Sequence, residues 1–261
     1  MSTAYSATPS TASTGDHDSD RVVVITGAGG GVGAATVARF LSNGDTVIAT
    51  DTSAESLTRL RTELDAGDRL VTLAGSITDE SDMNALADAA ADRGGVDVLL
   101  NIAGFFPFDY FADTTLERWR TVVDVNLTGT FLATHTLLPL MSGRGWGRIV
   151  NVGSASQYPG VAGQVHYVSA KTGLIGFTRS LAREVGPDGI TVNLLTPGLT
   201  LTRPVLESFP PELIASQREQ RALRRDQHPV DLVGPLFFLA SADAGFITGQ
   251  TLNVDGGAFM N

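Results

Sequence analysis

The stretch Arg21-Val-Val-Val-Ile-Thr-Gly-Ala-Gly-Gly-Gly-Val-Gly33 decides the fold of this chain. Its first part, Arg21 to Ile25, is a short apolar and β-branched run, which is typical of a strand buried on both faces of a parallel sheet. A glycine-rich segment follows, and a helical pattern begins at Ala34. Strand, glycine loop and helix in this order place backbone N–H groups and a helix N-terminus where they can bind a pyrophosphate. Taken alone, the glycine cluster could also be a flexible turn.

Asp51 favours a pyrophosphate-binding loop over a flexible turn. It follows the predicted strand Thr46 to Thr50, where a carboxylate can accept hydrogen bonds from the ribose of an adenine dinucleotide. Beside a 2′-phosphate the same carboxylate would be repelled, and neither Gly30 nor Thr52 offers a compensating cation. The sequence therefore predicts NAD as cofactor, preferred over NADP.

The rest of the chain alternates apolar runs with helical patterns, without a long linker or repeat. Further strands are predicted at residues 70–73, 96–101, 148–152, 190–195 and 251–254. The alternation predicts one α/β domain over residues 21–261, a doubly wound parallel sheet (Rossmann fold) of about seven strands with helices on both faces. Ligands of such sheets lie beyond the carboxyl ends of the strands. The residues at or just past those ends are Gly27, Asp51, Asn101, Ser154 and Pro197.

The composition excludes several classes of partner and site. A formal net charge of −10 argues against nucleic acid or an anionic membrane as a partner. The chain has no cysteine, which excludes disulfides and thiolate metal sites, and no metal is predicted. Residues 1–20 are polar without an apolar stretch, so we expect a disordered tail rather than a signal peptide or spanning helix. These features predict a soluble, cytoplasmic protein.

Tyr167 and Lys171 form a pair that can exchange protons. Lys171 is the only lysine of the chain, and a spacing of four places both side chains on one face of a helix. A nearby cation favours the phenolate and lowers the pKa of a tyrosine from its usual value of about 10. The pair is therefore interpreted as a tuned proton donor. A solvated lysine beside a half-buried tyrosine is the alternative, since a two-residue motif is weak without its structural context.

Taken together, the motifs resemble the short-chain dehydrogenase/reductase family in its classical form. The resemblance covers about residues 21–261. Ser154 stands 13 positions before Tyr167, as the catalytic serine of this family does. The other matching motifs are Thr26-Gly-x-x-x-Gly31-x-Gly33, Asn101-x-Ala103-Gly104, Asn126, Pro197-Gly198 and the tail from Thr248 to Gly257. The resemblance implies hydride transfer between a nicotinamide cofactor and a carbonyl or alcohol carbon.

The resemblance also implies a role for each matching residue. Tyr167 would be the general acid or base, and Ser154 would bond the substrate oxygen. Lys171 would tune Tyr167 and hold the nicotinamide ribose, while Asn126 would hold a water on the proton path. The alternatives are a turn serine and a mid-helix asparagine that bonds its own backbone. The implied cofactor-binding residues are Gly27, Gly31, Val32, Gly33, Asp51, Asn101, Ala103, Gly104, Tyr167, Lys171, Pro197, Gly198, Thr200 and Thr202.

The substrate is the least determined part of this interpretation. Phe105, Phe106, Gln157 and Tyr158 could line a mostly apolar pocket, and ordinary packing under the loops is the alternative. Residues 199–228 match the variable substrate loop of the family. Its arginines, at positions 218, 221, 224 and 225, are interpreted as a solvated helix face rather than an anion clamp. The predicted function is an NAD-dependent alcohol dehydrogenase or ketone reductase that acts on a small aromatic or cyclic substrate.

Two other functions stay open. A 3-oxoacyl-carrier-protein reductase would be expected to prefer NADPH and to present a basic docking surface, which Asp51 and the charge of −10 fit poorly. A catalytically inactive NAD sensor would use the same fold, but binding alone gives no reason for the spacing of Ser154, Tyr167 and Lys171. Family resemblance further implies a homotetramer, built partly from the helices predicted at residues 115–141 and 161–184.

Overall fold

Strand β1 (Val22–Thr26) lies at the centre of a parallel sheet and is buried on both faces. Val23 and Ile25 pack into one apolar core, whereas Val24 packs into the core on the other side. This alternation follows from the period of two residues in a strand. It explains why the run at residues 22–25 is apolar without interruption. The structure is a computed structural model that describes residues 18–260.

Within residues 18–260 the sheet has seven strands in the order β3-β2-β1-β4-β5-β6-β7, and neighbouring strands pair in parallel. The order reverses between β1 and β4, which opens a crevice at the carboxyl ends of these two strands. The predicted doubly wound sheet is confirmed. The other strands are β2 (Thr46–Asp51), β3 (Leu70–Ala74), β4 (Val98–Asn101), β5 (Gly147–Val152), β6 (Ile190–Pro197) and β7 (Thr251–Val254).

Helices cover both faces of this sheet. Apolar side chains of α1, α2 and α9 pack on one face, and those of α3, α5 and α6 pack on the other. The short helices α7 and α8 lie within residues 199–228. The α-helices are α1 (Gly31–Ser42), α2 (Ala54–Leu64), α3 (Glu80–Ala91), α4 (Leu116–Val123), α5 (Gly129–Leu137), α6 (Val165–Val185), α7 (Arg203–Ser208), α8 (Pro211–Gln220) and α9 (Val230–Leu239).

The helix predicted over residues 115–141 is divided by a π-helical turn at Asp124–Thr128, between α4 and α5. Asn126 lies in this turn, and its Nδ2 donates a hydrogen bond to the carbonyl of Val122 at 2.9 Å. The side chain thereby occupies the carbonyl that a backbone N–H would use in a regular α-helix. Such turns are often found at functional sites.

A buried ion pair lies at the amino end of the sheet, beside the start of β1. The guanidinium of Arg21 donates from Nη2 to Oδ2 of Asp45 at 2.8 Å and from Nε to Oδ1 at 3.0 Å. Asp45 is 0% exposed, and Oδ1 also accepts the backbone N–H of Arg21 at 3.1 Å. Two charges can be buried only when they are paired and hydrogen-bonded in this way.

Most of the predicted tail, residues 1–17, lies outside the described residues. Asp18, which belongs to the segment predicted to be disordered, contacts the domain. Its carboxylate accepts the N–H of Ala242 at 2.8 Å, and its carbonyl accepts from the side chain of Asn43. Among residues 18–260, no helix is long and apolar enough to cross a membrane.

Asp45→Ala should lower the free energy of unfolding by about 3–5 kcal/mol, because the buried guanidinium of Arg21 loses its carboxylate. Urea-induced unfolding measures this loss. The matched control is Glu207→Ala, which removes a carboxylate from the exposed Arg203–Glu207 pair and should cost at most about 1 kcal/mol. Equal losses in the two variants would contradict this account of the buried pair.

Candidate active site

A cavity of about 1030 Å³ opens at the carboxyl ends of the strands. It lies where the reversal of strand order places the crevice. Most of the predicted site residues line it, but Asn101, Asn126, Gln157 and Tyr158 do not. The predicted residues that line it are Gly27, Gly31, Val32, Gly33, Asp51, Ala103, Gly104, Phe105, Phe106, Ser154, Tyr167, Lys171, Pro197, Gly198, Thr200 and Thr202.

The loop between β1 and α1 is built so that only glycine fits at two positions. Gly27 has a φ of +68°, and a Cβ atom there would lie 2.7 Å from the Cα of Ala103. A Cβ atom at Gly33 would lie 2.1 Å from the carbonyl oxygen of Gly27. The backbone can therefore fold tightly against the first turn of α1. That turn presents unpaired N–H groups to the cavity, as binding of a pyrophosphate requires.

Asp51 joins this loop to the end of β2. Its Oδ2 accepts the N–H of Gly29 at 3.0 Å, and its Oδ1 accepts the N–H of Ser53 at 2.9 Å. Each oxygen keeps a lone pair that can accept from a hydroxyl group. The glycine loop and this carboxylate together fit the pyrophosphate and ribose of a dinucleotide.

Two cations that the sequence analysis did not consider lie on the far side of Asp51. Arg59 and Arg203 line a smaller adjoining cavity of about 420 Å³, together with Asp51. Arg59 donates to the hydroxyl of Ser56 at 3.3 Å, and Arg203 pairs with Glu207 at 2.7 Å. Arg59 lies on α2, the helix that follows Asp51, and Arg203 lies in the loop at 199–228, so neither is directly next to Asp51 in the sequence.

Ser154, Tyr167 and Lys171 come together at the floor of the large cavity. Ser154 follows β5, while Tyr167 and Lys171 lie on the first turns of α6. The Oγ of Ser154 accepts the N–H and the hydroxyl of Ser156 at 3.2 and 2.9 Å. Its own hydroxyl hydrogen is thus available for the phenol of Tyr167, with which Ser154 forms a hydrogen bond. Ser156 also lines the cavity and was missed in the sequence analysis.

The effect of Lys171 on the phenol differs from the expectation. Burial raises the pKa of Tyr167 above its ordinary value, and the hydrogen bond from Ser154 opposes this only in part. The nitrogen of Lys171 lies 6.0 Å from the centre of the tyrosine ring. Loss of hydration therefore outweighs the attraction of the cation for the phenolate. The predicted net lowering of the pKa of Tyr167 is therefore wrong, because the net shift is upwards.

Lys171 is itself held in a buried position, with 3% of its surface exposed. Its Nζ donates to the carbonyl of Val152 at 2.8 Å. Burial lowers the pKa of Lys171 from 10.5 to about 8. The ammonium has three donors, and two remain for a ligand in the cavity, which Lys171 lines.

Asn126 lies behind the cavity wall and is fully buried. Its Oδ1 accepts the N–H of Phe105 at 3.2 Å, and its Nδ2 donates to the carbonyls of Phe105 at 2.6 Å and Val122 at 2.9 Å. Both amide hydrogens are engaged, so the side chain holds the segment after β4 against the π turn. The water contact implied for Asn126 stays a prediction.

The wall opposite Ser154 is aromatic. We call residues 104–111 the aromatic segment. Phe106 contacts the ring of Tyr167 edge-on, with ring centres 6.4 Å apart. Phe209, from the loop at 199–228, lies 6.5 Å from Phe106 and 5.2 Å from Phe108. Phe209 was not predicted, because its contact with this wall depends on the path of a loop that sequence patterns do not determine.

Three predicted site residues are corrected by their placement. Asn101 is buried below the cavity, where its Nδ2 donates to Thr134 Oγ1 at 3.0 Å and to Asn151 Oδ1 at 2.9 Å. Gln157 and Tyr158 do not line the cavity, although their neighbours Ser156 and Pro159 do. The ring of Tyr158 lies near that of Phe259, at 6.2 Å.

One arginine of the loop at 199–228 is buried, whereas the sequence predicted a solvated helix face. Arg221 is only 5% exposed and lines the cavity. Its guanidinium donates to the carbonyls of Leu199 at 2.7 Å and Arg225 at 2.9 Å. Arg221 therefore braces the loop from within. The other three arginines of the predicted face form ion pairs, with distances of 2.8 Å for Arg218–Asp226, 2.7 Å for Arg225–Asp231 and 3.7 Å for Arg224–Glu219.

Comparisons with known proteins agree with this geometry. A family model described as enoyl-(acyl carrier protein) reductase matches residues 27–258. A 3-oxoacyl-(acyl-carrier-protein) reductase of Aquifex aeolicus is 35% identical over 92% of this chain and 97% of its own length. A (2S)-((R)-hydroxy(phenyl)methyl)succinyl-CoA dehydrogenase subunit of Thauera aromatica is 36% identical over 91% and 96% of the two chains. A Brucella melitensis crystal structure, named short-chain dehydrogenase/reductase SDR:glucose/ribitol dehydrogenase, is similar with a TM-score of 0.89, at 29% identity over 94% and 99% of the chains.

Gly33→Ala should lower the free energy of unfolding by about 1–3 kcal/mol and weaken NADH binding, because the new methyl group collides with the carbonyl of Gly27. Urea-induced unfolding and the fluorescence of bound NADH measure these effects. The matched control is Gly30→Ala, where φ is −78° and the nearest atom lies 3.4 Å from the added Cβ. Its stability should change by no more than about 0.5 kcal/mol. A similar loss at both positions would show that the close packing of the loop is not the cause.

Proposed function

The chain belongs to the classical short-chain dehydrogenase/reductase family, and on that basis we propose that it transfers a hydride between NAD(H) and the carbon of a ketone or secondary alcohol bearing an aromatic or cyclic group. One observation carries this proposal. The phenol of Tyr167 is hydrogen-bonded to Ser154 in the cavity, and the buried ammonium of Lys171 lies one turn further along α6. Each of the three groups has the chemistry that proton transfer to a carbonyl oxygen needs.

The protein positions the reactants and moves one proton. A nicotinamide bound in the cavity would supply the hydride in reduction and accept it in oxidation. Tyr167 donates its phenolic proton to the substrate oxygen in reduction and takes a proton from it in oxidation. Because the pKa of Tyr167 is raised, the phenol is protonated at neutral pH and ready to donate. Ser154 donates a hydrogen bond to the substrate oxygen as negative charge develops on it.

Lys171 has two tasks in this mechanism. The bond to the carbonyl of Val152 fixes its Nζ at the carboxyl end of β5, and its free donors hold the ribose hydroxyls next to the nicotinamide. With a pKa of about 8 the amine is mostly protonated at pH 7. It can therefore stabilise the phenolate that Tyr167 becomes when it has donated its proton.

The aromatic wall supports an aromatic or cyclic substrate. Phe105, Phe106, Phe108 and Phe209 line the cavity beside Tyr167. Flat apolar rings bind well against such a surface, since aromatic contacts add to the energy of buried area. The name of the Thauera relative includes a phenyl group and a hydroxyl-bearing carbon, which is consistent with this class.

Reduction of a 3-oxoacyl thioester is the second candidate. Its support comes from relatives, since the Aquifex protein carries that name and an acetoacetyl-CoA reductase of Rhizobium meliloti is 41% identical over 68% of this chain. The same Ser154, Tyr167 and Lys171 would perform the reaction. The two candidates differ in the wall of the cavity and in the surface that a carrier would contact.

Incubation with NADH and a panel of aryl, cyclic and 3-oxoacyl ketones tests the proposal, with loss of absorbance at the NADH band as the measurement. We expect the fastest turnover with an aryl or cyclic ketone. In Tyr167→Phe the rate should fall by about 100-fold or more, because only the proton donor is removed. The dissociation constant of NADH should change by no more than about twofold in this variant, since binding uses other residues.

Each other outcome assigns a different function. Fastest turnover with the 3-oxoacyl substrates would favour the second candidate. Oxidation of NADH with none of the ketones, despite NADH binding, would favour a sensor. Turnover by Tyr167→Phe at the rate of the unaltered protein would refute the role assigned to this residue.

The preference for NAD should depend on Asp51. Asp51→Ala combined with Thr52→Arg should raise the ratio of kcat/KM for NADPH over NADH by about tenfold or more. The expected reason is that the loss of an anion and the gain of a cation beside the 2′-phosphate contribute about 1 kcal/mol or more each. Steady-state kinetics with the two cofactors measure the ratio.

Thr52→Arg alone is the control, because it adds the cation while Asp51 keeps its charge. It should shift the ratio by less than the double change does. If the unaltered protein already prefers NADPH, the argument from Asp51 is wrong. Arg59 and Arg203 would then be the cations to replace, since they line the cavity next to this carboxylate.

A further inference from the structure

His166 is a buried polar residue that the mechanism above leaves without a role. It directly precedes Tyr167 and is 1% exposed. Its Nδ1 accepts the backbone N–H of Tyr167 at 2.8 Å, and its Nε2 lies 3.1 Å from Oδ2 of Asp109. Since Nδ1 accepts, the ring carries its hydrogen on Nε2 and donates it to the carboxylate.

The bond to Nδ1 satisfies a donor that the helix cannot. Helix α6 begins at Val165, and its N-cap residue Gln164 provides no side-chain cap. The N–H of Tyr167 is therefore among the first donors of the helix, which have no partner within it. His166 caps this donor from inside the first turn and so holds the backbone that carries Tyr167.

The bond to Nε2 reaches the aromatic segment through Asp109. Oδ2 of Asp109 also accepts from Nε of Arg118 at 2.7 Å, and the guanidinium of Arg118 lies 5.2 Å from the ring centre of Phe105. Hydrogen bonds from Arg118 and His166 hold the pKa of Asp109 below its ordinary value. A charged carboxylate thus anchors the segment that carries the aromatic wall.

Two further contacts, one between backbone groups and one from a side chain, join the same pieces of chain. The N–H of Asp109 donates to the carbonyl of Gly163 at 2.8 Å, and Nε2 of Gln164 lies 3.4 Å from the carbonyl of Phe106. The start of α6 and the aromatic segment therefore meet along a short seam. The ring of His166 bridges this seam with one nitrogen on each side.

We propose that His166 is a positioning residue that couples the proton donor to the substrate wall. Nδ1 holds the first turn of α6 under Tyr167, and Nε2 holds the aromatic segment through Asp109. The imidazole ring is rigid, so its two bonds keep the phenol and the aromatic wall in a constant relative position. This role in turnover rests on the proposed function of Tyr167 as proton donor.

Two substitutions test the roles of Nδ1 and Nε2 of His166 separately. His166→Asn places an amide oxygen near the position of Nδ1, so the N–H of Tyr167 keeps its acceptor and Asp109 loses its donor. KM for the ketone should rise by about fivefold or more, while kcat changes by less than about twofold. His166→Gln places an amide nitrogen near Nε2 and leaves the N–H of Tyr167 without an acceptor. Here kcat should fall by about tenfold or more, while KM changes little.

Amide hydrogen exchange, followed by mass spectrometry on the same variants, gives a readout that needs no turnover. His166→Asn should speed exchange in residues 104–111 and leave residues 165–168 protected. His166→Gln should do the opposite. If the unaltered protein reduces no ketone, the proposed function fails, and the exchange pattern still decides whether His166 holds the two segments separately.

If the histidine variants fold poorly, Asp109→Ala removes the same hydrogen bond between His166 and Asp109 from the other side. It should raise KM as His166→Asn does, and the double variant should resemble either single variant, because both changes break one link. Asp113→Ala is the matched control, since it removes an exposed carboxylate from the same connection between β4 and α4 and should change neither constant. Equal changes of kcat and KM in His166→Asn and His166→Gln, or exchange that rises in both segments together, would overturn the proposal.

Discussion

Parallel pairing of β1 with both β2 and β4 is the constraint on which the site depends. Because neighbouring strands run in the same direction, their carboxyl ends meet at one edge of the sheet, and each chain segment leaves the sheet there. The glycine loop after β1, Asp51 on β2 and Ser154 after β5 are far apart in sequence and share one cavity for this reason. Val23 and Ile25 pack into the core on one face of β1 and Val24 into the core on the other, and this packing holds β1 at the centre of the sheet.

Burial sets the chemistry of the groups at this edge. Loss of hydration raises the pKa of Tyr167 and lowers that of Lys171 to about 8, so that the phenol stays protonated while the amine is still mostly charged at pH 7. The hydrogen bond from Ser154 opposes the shift of Tyr167, and the bond to the carbonyl of Val152 orients Lys171. A cavity that excludes water also strengthens the electrostatic effect of each remaining hydrogen bond. The fold thus places a protonated phenol near an ammonium group whose pKa of about 8 lies close to neutral pH.

Polar side chains join the segments around the cavity and add to their apolar and backbone contacts. Asn126 links the π turn to Phe105, Arg221 braces the loop at 199–228, and Asp109 receives both Arg118 and His166. Each of these bonds is buried or partly buried, where an unmatched polar group is costly. Under the proposed function, residues of this kind surround the cavity wall that would select the carbonyl compound, whereas both candidate substrate classes would share the proton-transfer groups.

The sequence by itself determined the fold class, the seven-stranded order of elements and the group of Ser154, Tyr167 and Lys171. The fold class follows from local signals, namely short uninterrupted apolar runs and a glycine loop between strand and helix. Tyr167 and Lys171 were paired by their spacing on one helix face, and Ser154 was added to them by the family resemblance. Patterns of this kind can be seen within one stretch of chain. They also explain why Asn101 was assigned to the cavity, since its place at the end of β4 is correct and only the direction of its side chain is not.

Only the tertiary structure decided the direction of the pKa shifts, the residues that form the cavity walls and the contacts between residues that are distant in sequence. The pKa of Tyr167 depends on how completely its side chain on α6 is buried, and elements from the whole chain contribute to this burial. Phe209 meets Phe106, and His166 meets Asp109, across sequence separations that no local pattern spans. Contacts of this kind depend on loop paths, which short-range propensities do not encode. Packing therefore determines the substrate wall, while local chemistry determines the reaction.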